Sequence, residues 1–94
     1  MFVKLVKINE RVIKGKTDYY LSEVSINILQ ISYMSENTMF KQMLNEGSLN
    51  LDLNKNASFT DLKLNTKQTI TVVGTPSLIE TKILLNSNKQ LLRG

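Results

Sequence analysis

The side chains here that could carry chemistry are mainly cations near the start of the chain. Lys4, Lys7, Arg11, Lys14 and Lys16 fall within thirteen residues, and Tyr19 and Tyr20 follow directly. Cations spaced this way can displace counterions from a phosphate backbone, and exposed tyrosine rings can stack on unpaired bases. The same residues equally suit an edge strand whose lysines discourage pairing with another sheet. With two arginines against ten lysines, bidentate reading of base edges is not expected.

The catalytic inventory is thin. Without cysteine there is no disulfide framework and no thiolate, and without histidine the commonest general base and zinc ligand are missing. Ser-His-Asp, Cys-His and zinc-water mechanisms are therefore excluded by residue type. The eight carboxylates are scattered, so the chain reads as non-enzymatic, with no catalytic residue, cofactor or metal assigned. Asp52-Leu53-Asn54-Lys55-Asn56 opens like a calcium loop, but Ala57 stands where glycine is required and Lys63 where the bidentate glutamate belongs. That segment reads as a strand end and a turn.

Two apolar features could instead serve contact with a protein. Met39, Phe40, Met43 and Leu44 share one helix face, and methionine-rich faces adapt to partners, although packing on the sheet is the plainer account. Val12 and Ile13 sit in a segment that otherwise reads as a loop tip, so they either extend a hairpin or mark a contact surface. Thr75-Pro76-Ser77 opens a helix whose free N–H groups could hold an anion, but capping is the expected role.

These residues need a scaffold, and its clearest part runs from Phe59 to Leu85. Leu62 and Leu64 alternate with Asp61, Lys63 and Asn65, and Ile70 and Val72 with Thr69, Thr71 and Val73. That is the two-residue period of a half-buried hairpin. Gly74 ends it, Thr75 caps a helix, and Pro76 stands where a missing N–H costs nothing. Residues 2–9 read as an interior strand with apolar positions on both faces, and residues 10–17 as a loop tip around Gly15.

Residues 18–33 alternate in two phases, Val24-Ile26-Ile28 and then Leu29-Ile31-Tyr33. A helix would also group Val24, Ile28 and Ile31, but serine and asparagine between β-branched residues favour strand, with a bulge at Ile28–Leu29. Ser35 to Glu46 reads as a short helix capped by Ser35 or Asn37 and stopped by Gly47. Leu49, Leu51 and Leu53 alternate as a strand before a turn at residues 54–56. The polar residues 86–94 are expected to fray unless Leu91 and Leu92 dock. The whole reads as one α+β domain over residues 1–94, its folded core in 1–85. It should hold a small, mainly antiparallel sheet of about four to six strands, one short inserted helix and one C-terminal helix.

Two segments together, Tyr19 to Ile31 and Asp61 to Ile83, have the cadence strand, short loop, strand, polar turn, strand, helix. In this the chain resembles the small FlbD-type proteins of bacterial flagellar operons, over about half its length, with an insertion spanning Glu36–Leu53. The resemblance implies a small regulatory or interaction protein with no catalytic residues.

Charge placement is more telling than net charge. The total is +4, and the first seventeen residues carry all of it, since the remaining basic and acidic side chains cancel. No apolar run approaches roughly eighteen residues and no signal-peptide pattern is visible, so a cytoplasmic protein without a membrane partner is expected. Ten lysines, ten asparagines and a single alanine suggest an AT-rich coding genome, common among phages and mobile elements. The expected function is stoichiometric binding to a host protein (an enzyme, toxin or regulator) by a phage or mobile-element inhibitor of the host-takeover kind. RNA or DNA binding through the basic segment is the alternative. A self-assembling structural subunit is the second, and a homo-oligomer is compatible with the pattern.

Overall fold

The computed structural model describes the backbone of residues 1–93 and the side chains of residues 1–86. Five strands, β1 (Phe2–Ile13), β2 (Lys16–Asn27), β3 (Ile31–Glu36), β4 (Phe59–Leu64) and β5 (Thr69–Val73), form one antiparallel sheet in the order β2-β1-β5-β4-β3. Helix α1 (Thr38–Asn45) lies between β3 and β4 in the chain, and α2 (Pro76–Arg93) follows β5. This is the small antiparallel α+β architecture that the patterning predicts.

Strand β1 is interior because it uses its two faces in turn. Val3 and Leu5 are buried on one face; further along, Ile8 is buried on the other. Directly paired residues in an antiparallel ladder share a face, and Lys7 pairs with Val72 while Ile8 pairs with Thr71. Two cores result. The first gathers Val3, Leu5, Ile26, Leu62, Ile70 and Val72 around Ile79 of α2; the second gathers Ile8, Leu49 and Phe59 around Phe40 and Leu44 of α1. The helices therefore cover opposite faces of a single sheet.

The two edge strands are joined by only a 3-10 turn, Ile28–Gln30. Four strand spacings in a flat sheet come to about 19 Å. The four Cα steps from Asn27 to Ile31 reach only about 14 Å. The sheet must curl at that end. Asn65 clamps the turn, its backbone N–H donating to the Gln30 carbonyl at 2.8 Å and its side-chain amide to the Leu29 carbonyl at 3.0 Å.

The helix ends follow their cap residues. Asn37, rather than Ser35, caps α1 by accepting the Phe40 amide at 3.0 Å; Ser35 belongs to β3. Gly47 (φ 77°) stops the helix, with the Gly47 N–H on Leu44 and the Ser48 N–H on Met43. That pair of bonds is a Schellman motif. Thr75 Oγ1 accepts the Leu78 amide at 3.1 Å at the start of α2.

Three local expectations are corrected. Residues 10–17 are not a loop: β1 and β2 run up to a two-residue turn, Lys14 (φ 51°) and Gly15 (φ 76°). Positive φ at both positions is what a type I′ hairpin requires. The phase slip at Ile28–Leu29 is no bulge but the 3-10 turn that ends one strand and begins another, and the register shift falls between Ile31 and Tyr33. Residues 49–53 are not a strand. The Leu51 N–H bonds the Leu49 carbonyl and the Leu53 N–H bonds the Leu51 carbonyl, two successive three-residue turns. Such turns also send alternate side chains to one side, which explains the two-residue period without a ladder. The turn at 54–56 is present, with the Ala57 N–H on the Asn54 carbonyl. Helix α2 continues past Leu85, and the expected docking of Leu91 and Leu92 or fraying of the tail lies, beyond Asn86, outside the described side chains.

Candidate functional site

Strand β1 pairs with β5 only at Lys7 and Ile8. Beyond that point the β1–β2 hairpin continues as a two-stranded arm to the Lys14-Gly15 turn. The ladder sorts the basic segment by face. Lys7 and Arg11 lie on the α2 side with Lys16, the partner of Ile13; Lys4 lies on the α1 side opposite Ser25; and Lys14 is in the turn itself. The five cations are therefore not gathered into one patch.

Arg11 is already engaged. Its Nε and Nη2 each lie 2.9 Å from Asp18 Oδ2, and its guanidinium sits 4.8 Å above the Tyr20 ring. The pair is solvent-exposed, so it contributes at most about 1 kcal/mol. The two tyrosines face opposite ways, as adjacent strand residues must. Tyr19 packs edge-on against Phe40, ring centroids 5.4 Å apart, and belongs to the second core. Tyr20 remains partly exposed under Arg11.

The apolar candidates divide similarly. Phe40 and Leu44 are buried and Met43 half-buried, so the methionine-rich face of α1 is spent on the sheet; only Met39 stays exposed. At the arm tip, Val12 is 68% exposed and Ile13 48%. They extend the hairpin and remain uncovered, one on each face.

A groove of about 350 Å³ opens between the arm and α1, lined by Glu10, Tyr19, Met39, Phe40, Asp61 and Thr69 among others. Asp61 Oδ1 accepts the Thr71 hydroxyl at 2.6 Å, and both its oxygens accept Asn37 Nδ2, at 3.1 and 3.2 Å. Those bonds make Asp61 a strut beneath the α1 cap, and leave Glu10 as the groove's exposed carboxylate. Sequence patterning placed Asp61 on a polar face and missed this role, because the covering helix comes from a separate segment. The available signal was Phe59, which shares the face of Asp61 and could not be left in water.

Among the described residues no group of three histidines, cysteines or carboxylates is placed to hold a metal ion. No helix among them is long and apolar enough to cross a membrane. No protein-family model, curated protein or solved structure matches this chain.

Proposed function

We propose that this chain is a non-enzymatic binding protein that acts by stoichiometric contact with another protein, docking through the tip of the β1–β2 arm. The observation that carries this reading is the exposure of Val12 and Ile13 on a projecting hairpin, where much of their apolar surface stays in water after folding. A phage or mobile-element accessory protein, or a small regulator of the FlbD-like kind, would block or redirect its target by such a contact. Affinity capture from a lysate, with and without nuclease, tests it. One protein should be retained after nuclease and lost on Val12→Asp.

One observation favours a second reading. Lys14 and Lys16 flank the same tip, and neither makes an ion pair among the described residues. A two-stranded ribbon with basic and apolar residues at its end can enter a nucleic-acid groove. Recovery of RNA or DNA, with binding that falls steeply as salt rises and is abolished by Lys14→Glu with Lys16→Glu, would put this reading first.

A further inference from the structure

The outer edge of β2 has a hydrogen-bonding pattern that the hairpin turn fixes. Ile13 and Lys16 flank a two-residue turn, so they form a hydrogen-bonded pair, and bonded pairs recur at every second position. Even-numbered residues of β2 therefore aim their backbone N–H and C=O groups at β1. The Ile28 N–H, bonded to the Met1 carbonyl at 3.0 Å, continues that series. Thr17, Tyr19, Leu21, Glu23 and Ser25 aim theirs away from the sheet.

β2 is the terminal strand, and no backbone bond outside the β1 ladder reaches these five residues among those described. The edge is twelve residues long, with no proline and no register shift. The opposite edge, β3, has six residues and is interrupted between Ile31 and Tyr33. Short, irregular edges resist pairing; long, regular ones invite it.

We propose that two copies of this chain pair β2 against β2, antiparallel, about a two-fold axis through Leu21. Each outward residue then meets another outward residue: Leu21 its counterpart, Tyr19 the partner's Glu23, and Thr17 the partner's Ser25. On the other face Asp18 meets Val24 and Lys16 meets Ile26, so no like charges stand opposite each other. Centring on Glu23 would oppose two carboxylates, which is destabilising. Centring on Tyr19 would run off the turn and use fewer outward groups. The pairing continues the sheet across the axis, and it is independent of any partner held at the arm tip.

Sedimentation equilibrium and amide hydrogen exchange across a concentration series test the pairing. The mass should double with concentration. The Tyr19, Leu21, Glu23 and Ser25 amides should slow by at least about tenfold as it does so, while Tyr20, Ser22 and Val24 are protected throughout. Glu23→Pro removes an outward N–H that β1 does not use, a position where an edge strand tolerates proline. It should hold the chain monomeric with the Tyr20 and Ser22 amides still protected. A chain that stays monomeric to millimolar concentration overturns the proposal. So does a dimer in which the odd-numbered amides exchange freely, or one that Glu23→Pro leaves intact. Should that variant unfold, the odd-even alternation in the unsubstituted chain decides alone.

Discussion

Asn37 bonds in two directions at once: its Nδ2 donates to both oxygens of Asp61, at 3.1 and 3.2 Å, while its Oδ1 accepts the Phe40 amide at 3.0 Å. The link joins the start of α1 to the middle of the sheet. Asp61→Ala should therefore loosen α1 as well as strand β4. A loss of about 1 kcal/mol in a denaturant titration is expected, since the donors it frees, on Asn37 and Thr71, are half-buried and within reach of water at the groove. The near-ultraviolet signal of Tyr19, which rests on Phe40, should weaken with it.

Lys14 occupies the left-handed region with φ 51°, one position before Gly15. A lysine there is strained where asparagine is not. Lys14→Asn should raise stability by about 0.5–1 kcal/mol, read as a higher thermal midpoint. The same variant removes one of the two tip cations, so unchanged partner binding in it would speak against a nucleic-acid role.

Thr60 is fully buried in the first core, and its hydroxyl donates to the Gly74 carbonyl at 2.8 Å. This bond ties β4 to the residue that turns the chain into α2. Thr60→Val keeps the shape and deletes the donor, and a cost of about 1–2 kcal/mol is expected by calorimetry. Hydrogen exchange should show the loss first at the Leu78 and Ile79 amides.

Val12 and Ile13 make the opposite prediction. Substituting either by aspartate should cost no more than about 1 kcal/mol, the span of strand propensity, because Val12 is mostly exposed and Ile13 about half exposed. Binding to a protein partner should be lost, with salt having little influence. Normal binding by a folded Val12→Asp, Ile13→Asp double variant would remove the arm tip from the interface.

The β4–β5 hairpin and the start of α2 were legible in the sequence because local chemistry and tertiary packing agree there. Leu62, Ile70 and Val72 alternate into one core, and Gly74, Thr75 and Pro76 punctuate in the expected order. Disagreement arose where one pattern has two physical realisations. Leu49, Leu51 and Leu53 keep a strand's period in a loop of tight turns, and the slip near Ile28 is a turn between strands. The groove was invisible for another reason: Glu10, Asn37, Asp61 and Thr71 come from four segments, and only the fold brings them together. The basic cluster, conspicuous in the sequence, is dispersed by the alternation of β1.

The placement of α1 and α2 on opposite faces gives the molecule two lids of unequal grip. Helix α1 and residues 46–58 cover Ile8 and Phe59 without contributing a strand to the sheet, whereas α2 closes the core built on all the central strands. The α1 side is therefore expected to open as a unit while the sheet and the α2 side stay closed, at a free energy below that of global unfolding in a hydrogen-exchange measurement. Cleavage within residues 46–58, read by limited proteolysis, is the expected sign of that opening. The cut would leave two fragments still joined through the β3–β4 ladder, with Phe59 as the newly wetted surface.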